Sequence, residues 1–109
     1  LTSLSDADTN QIYKRDAAGQ GAAMLDLAEE AGINGVVCSP HELHLVAKRE
    51  SFLSITPGIR LRDHDDDQSR VMTPKEAIDL GANYIVIGRP ITSSTNIKEA
   101  LKEIHNSIQ

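Results

Sequence analysis

Arg89 is the residue whose neighbours best suit it to chemistry. It follows the apolar run Tyr84-Ile85-Val86-Ile87 directly after Gly88, and Pro90 comes next. Four apolar residues in a row read as a strand buried on both faces. A glycine at the strand's end lets a ligand approach backbone N–H groups, and a guanidinium offers a planar fork for bidentate contact. Both suit a phosphate monoester, held by Arg89 and the N–H groups around Gly88. The competing reading is a surface arginine that merely follows a strand.

Other reactive types carry less. Arg62-Asp63-His64-Asp65-Asp66-Asp67 invites a metal ion, but it lacks the glycine and terminal glutamate of a calcium loop and reads as a solvated segment. Cys38 ends an apolar run, yet His41 and His44 fall on the helix that follows and are not placed to activate it. It reads as a small buried hydrophobe. His105 reads as exposed. Lys14, Lys48, Lys75, Lys98 and Lys102 all read as solvent-facing helical positions, and none follows a strand.

Composition narrows the classes further. A net charge of -5 argues against a nucleic-acid partner or an anionic membrane surface, both of which want a basic stripe. No apolar run approaches the roughly 20 residues of a membrane span. With one cysteine there is no internal disulfide, which fits a reducing compartment and predicts a cytoplasmic location.

The elements that must position Arg89 repeat themselves. Ala31-Gly32-Ile33-Asn34-Gly35-Val36-Val37-Cys38-Ser39-Pro40 lines up with residues 80–90, with one residue inserted in the second copy. Each copy begins where a helix should stop at a glycine, Gly32 or Gly81, then runs through an apolar stretch to a proline. Helices are predicted over 22–31 and 41–49, and from Thr73, where Thr73-Pro74-Lys75-Glu76 combines N-cap, N1 proline and capping-box glutamate. A closing helix is predicted over 96–108, with Ile97, Leu101, Ile104 and Ile108 inward. Strands are predicted at 35–38, 52–55 and 84–87, and 1–4 reads as the frayed end of a fourth. Strands alternating with helices indicate a parallel sheet covered by helices. Four such βα units make half of a (β/α)₈ barrel, and the expectation is an α/β fold forming the second half of one. In a barrel the chemistry sits at the C-terminal strand ends, here Thr2-Ser3, Cys38-Ser39-Pro40, Thr56-Pro57-Gly58-Ile59-Arg60 and Gly88-Arg89-Pro90.

The ordered set of motifs resembles one family. Thr56-Pro57-Gly58-Ile59-Arg60, then Gln68, then Thr73-Pro74 opening a helix, then Val86-Ile87-Gly88-Arg89-Pro90-Ile91-Thr92 is similar to orotidine 5′-phosphate decarboxylase of the bacterial type. Leu1-Thr2-Ser3 and Gly35-Val36-Val37-Cys38-Ser39 match its fifth and sixth strands, so the resemblance covers essentially the whole chain. It implies a carboxy-lyase converting orotidine 5′-phosphate to UMP without metal or organic cofactor. It further implies that Arg89 and Gly88 bind the 5′-phosphate, that Gln68 closes over it and that Arg60 contacts substrate. Thr2 would read the pyrimidine edge, and Pro57 and Ile59 would line the apolar side of the pocket. The family's reacting lysine and aspartates, in a DxKxxD-type motif, are absent from this sequence. The resemblance therefore implies a substrate-gripping part that needs the N-terminal half of the barrel as partner, inactive alone, in an enzyme that is normally a homodimer. Leu61 and the aspartates stand where the bacterial relatives usually have proline and glycines. Two alternatives stay open: a hexulose-phosphate synthase-like lyase acting on sugar phosphates, and an inert half-barrel that serves only in assembly.

Overall fold

The structure, a computed structural model, describes residues 1–61 and 72–109. Its helices start where side chains take up the free N–H groups of the first turn. Ser5 and Asp8 form a reciprocal capping box that opens α1 (Asp6–Tyr13), a helix the apolar pattern does not reveal. Asp16 caps α2 (Ala17–Glu30) by accepting the Gly19 amide at 2.7 Å. This helix starts five residues before the predicted 22, because Ala17-Ala18-Gly19-Gln20-Gly21 shows no apolar periodicity. A 3₁₀ turn (Pro40–Glu42) leads into α3 (Leu43–Ala47). Thr73 and Glu76 make the predicted box at α4 (Pro74–Asp79). The last two helices are α5 (Arg89–Thr92), which was not anticipated, and α6 (Ile97–Ser107), capped by Asn96.

The predicted helix stops are left-handed glycines. Gly32 has φ 72° and Gly81 φ 101°. After α2, the Gly32 and Ile33 amides donate to the Glu29 and Ala28 carbonyls; after α4, Gly81 and Ala82 donate to Ile78 and Ala77, all at 3.0 Å. The same Schellman closure therefore feeds each copy of the internal repeat into its strand.

Those strands form a parallel three-stranded sheet in the order β1 (Gly35–Val37), β2 (Leu53–Thr56), β3 (Tyr84–Ile85). Val37 pairs with Ile55, and Thr56 pairs with Ile85. Residues 1–4 are not a strand: the Leu4 amide turns back to the Leu1 carbonyl at 3.2 Å. A strand exists through its neighbour's hydrogen bonds, and β1 pairs with β2 alone among the described residues.

Packing corrects two further expectations. The helices cover one face of the sheet, where Leu25, Cys38, Leu43, Val46, Phe52, Ile59, Ala77 and Ala82 form the core. The other face is open: Val37 is 62% exposed, Leu53 49% and Tyr84 59%. The strands are thus buried on one face, not two, because a single layer of helices shields only the side it packs on. Along α6, Ala100 and Ile104 are buried, whereas Ile97, Leu101 and Ile108 remain exposed. Its apolar stripe is wider than the α4 and α5 surfaces beside it. All five lysines are exposed, as expected.

One polar contact ties β2 to the approach of β3. Asn83 Oδ1 accepts the Ser54 amide at 2.8 Å and the Ser54 hydroxyl at 3.2 Å, while the Asn83 amide donates back to Ser54 Oγ at 3.0 Å. Ser54 is buried, so removing the amide side chain strands its N–H group. Asn83→Ala should cost about 1–3 kcal/mol, read as a lower urea midpoint. Lys75→Ala, which removes only the exposed pair with Asp79, should move stability by less than about 0.5 kcal/mol.

Candidate functional site

A parallel sheet brings the C-terminal ends of its strands to one edge. Here the ladder continues past the assigned strands: Cys38 N–H donates to the Ile55 carbonyl at 3.0 Å, and Val86 N–H to the Thr56 carbonyl at 2.9 Å. Cys38-Ser39, Thr56-Pro57 and Val86-Ile87-Gly88 are therefore neighbours at that edge. Gly88 is the N-cap of α5, and a side chain added there would meet nothing within 4 Å. The Ile91 and Thr92 amides both turn to the Gly88 carbonyl, at 2.9 and 3.1 Å, and Pro90 has no N–H. The Gly88 and Arg89 amides are left without partners among the described residues. Arg89 is exposed and has no carboxylate partner among them. A free cation thus stands beside two free amides, the combination that an oxyanion requires.

The remaining predicted positions are distributed unevenly. Pro57 is half-buried beside Gly58, whose φ of 77° bends the chain away from the sheet. Arg60, also half-buried, donates its backbone N–H to the Met72 carbonyl at 3.1 Å, which pins together the two ends of the intervening segment. Ile59 departs from expectation. At 0% exposure it belongs to the core, so its side chain anchors the loop from beneath and does not face a ligand. Thr2 is exposed and lies beside Cys38 and Ser39 as part of one cavity lining. Gln68 and the acidic run Arg62-Asp63-His64-Asp65-Asp66-Asp67 lie outside the described residues. Among the described residues no group of three or more His, Cys, Asp or Glu is placed to hold a metal ion, and no helix is long and apolar enough to cross a membrane.

Known proteins share this arrangement. The model of the orotidine 5′-phosphate decarboxylase / HUMPS family matches residues 1–104. The chain belongs to that family. Relatives named orotidine 5′-phosphate decarboxylase are 40% identical in Dictyoglomus thermophilum and 45% identical in Coxiella burnetii, each matching 100% of this chain. The chain spans 47% and 48% of those two proteins, about half their length. A crystal structure of orotidine 5′-phosphate decarboxylase from Lactobacillus acidophilus superposes with a TM-score of 0.77 at 34% identity, covering all of this chain and 46% of that one. The fold is accordingly α/β, half of a (β/α)₈ barrel, and its open sheet face is the side that faces the interior of such a barrel.

Within this family framework the edge of the sheet holds a contact that sequence reading missed. Cys38 Sγ lies 3.6 Å from Thr56 Oγ1, both buried, between the ends of β1 and β2. Their shared register is the only signal, and a linear sequence does not display it. Burial pushes the thiol above its ordinary value of 9.0; the Thr56 hydroxyl opposes this and the nearby Glu42 charge adds to it. The neutral thiol therefore dominates at pH 7 to 8. Iodoacetamide should modify the folded chain much more slowly than the urea-unfolded chain, with the rate rising above pH 9. Because the folded thiol ionises later than the unfolded one, its stabilising contribution is complete below the unfolded pKa. That contribution is lost as pH climbs through the raised value.

Proposed function

We propose that this chain supplies the phosphate- and base-gripping half of an orotidine 5′-phosphate decarboxylase. The observation that carries the reading is 40–45% identity, along the whole chain, to relatives bearing that name. Arg89 and the amides of Gly88 and Arg89 hold the 5′-phosphate of orotidine 5′-phosphate and of the product UMP. Arg60 and Gln68 contact the substrate from the segment that leaves and rejoins the sheet at Arg60 and Met72. Thr2 faces the pyrimidine, and Pro57 borders it. Ile59 holds the Pro57-Gly58 bend in place from the core.

The reaction replaces a carboxylate on the pyrimidine ring with a proton. No lysine of this chain stands at a strand end, so the proton donor and its aspartates come from a complementary half-barrel. That half also covers the open sheet face. Phosphate binding far from the reacting carbon still serves turnover, since remote binding energy helps reach the transition state. No metal or organic cofactor takes part. The assembled enzyme is a cytoplasmic homodimer. A sugar-phosphate lyase of the HUMPS kind would use the same phosphate grip, since the family description names both.

Mixing this chain with a separately prepared N-terminal half of a bacterial decarboxylase should produce loss of orotidine 5′-phosphate absorbance. Arg89→Ala should reduce kcat/KM by roughly 10- to 100-fold, the range for a lost charge-assisted contact. Two soluble, associated halves that leave orotidine 5′-phosphate untouched but cleave a hexulose phosphate would replace this reading with the sugar-phosphate one.

A further inference from the structure

Beside β1 lies a cavity of about 230 Å³ whose walls are apolar: Met24, Leu25, Ala28, Val36, Val37 and Val46. Its polar lining groups are Thr2, Cys38, Ser39 and Glu42. Ser39 is the unusual one. It is 8% exposed, it caps the 3₁₀ turn without a side-chain hydrogen bond, and its hydroxyl has no partner among the described residues. A buried hydroxyl left unpaired costs about 1–3 kcal/mol, and such groups in native structures call for a specific explanation. Ser39 also ends a strand at the same edge of the sheet as Pro57, Gly88 and Arg89.

We infer that Ser39 is a specificity-determining residue that hydrogen-bonds the edge of a bound pyrimidine ring, with Glu42 excluding anions from that pocket. The inference rests on the decarboxylase reading and deepens it by assigning a base-reading group that the family motifs do not mark. Three observations select a base over the other parts of a nucleotide. The apolar walls suit a flat ring. A hydroxyl can both donate and accept, as the alternating N–H and C=O groups of a pyrimidine edge require. The Glu42 carboxylate repels phosphate, which the free cation Arg89 takes at the end of β3. A sugar phosphate offers no ring to this cavity, so Ser39 also separates the two substrate classes that the family contains.

Calorimetric titration of this chain with UMP and with ribose 5-phosphate tests the assignment, using wild type, Ser39→Ala, Ser39→Thr and Arg89→Ala. Ser39→Ala should weaken UMP several-fold to about tenfold and leave ribose 5-phosphate unchanged. Ser39→Thr, which keeps the hydroxyl, should recover most of the UMP affinity. Arg89→Ala should weaken both probes. If Arg89→Ala weakens UMP while Ser39→Ala binds both probes like wild type, the role of Ser39 is overturned and the decarboxylase reading stands. If wild type binds ribose 5-phosphate as tightly as UMP, the base pocket is absent and both readings fall. Unfolding midpoints measured in parallel exclude a loss that comes from misfolding of Ser39→Ala.

Discussion

Parallel pairing of β2 with both of its neighbours is the constraint on which the site depends. Val37 opposite Ile55 and Thr56 opposite Ile85 set where each strand stops. The Thr56 carbonyl receives the Val86 amide, so Pro57 and Gly88 must emerge side by side. A slip of one residue would turn every side chain of β3 to the other face, and Arg89 would leave that edge from a different position. At the opposite end the Asn83 side chain closes the register by pairing with Ser54 in both directions. Grip and latch thus sit at the two ends of the same short ladder.

This ladder is served by a repeated delivery device. A helix closes on a left-handed glycine, the next residues run into a strand, and a proline starts a helical turn at the strand's far end. The first copy ends in Ser39-Pro40 and the second in Gly88-Arg89-Pro90. What differs is the group carried at the turn. The first copy carries a hydroxyl beside an apolar cavity, and the second a cation beside free amides. One backbone design therefore presents a neutral and a charged recognition group on neighbouring elements, as a nucleotide with an apolar ring and an anionic phosphate requires.

The open sheet face has the same origin. Helices shield one side of β1 to β3, and Val37, Leu53, Ile55, Tyr84 and Val86 stay exposed on the other. An apolar run such as Tyr84 to Ile87 announces burial on both faces only if both coverings are present. The chain spans about half the length of its relatives, and the covering it has is the helical one. Exposed Ile97 and Leu101 on α6 follow the same logic, since an apolar stripe records every surface a helix meets in the complete fold.

Local chemistry was legible in the chain alone. Thr73-Pro74-Lys75-Glu76 opens α4, Gly32 and Gly81 end their helices, and the strands lie within a residue or two of their apolar runs, because caps and left-handed turns depend on the nearest few residues. Gly88-Arg89 as an anion grip was legible for the same reason: the glycine, the cation and the strand before them are contiguous. Other features depend on contacts between distant segments. α1 and the early start of α2 rest on polar caps without an apolar stripe to mark them. Ile59, in a motif that reads as pocket lining, is drawn fully into the core by residues on several other elements. Cys38 meets Thr56, and Ser39 joins Thr2 at one cavity, only after β1 and β2 have paired. Sequence alone determined which groups this protein carries and where its helices and strands begin. The tertiary structure decided which of those groups face a ligand, because facing is set by strand register and by the surfaces that the helices cover.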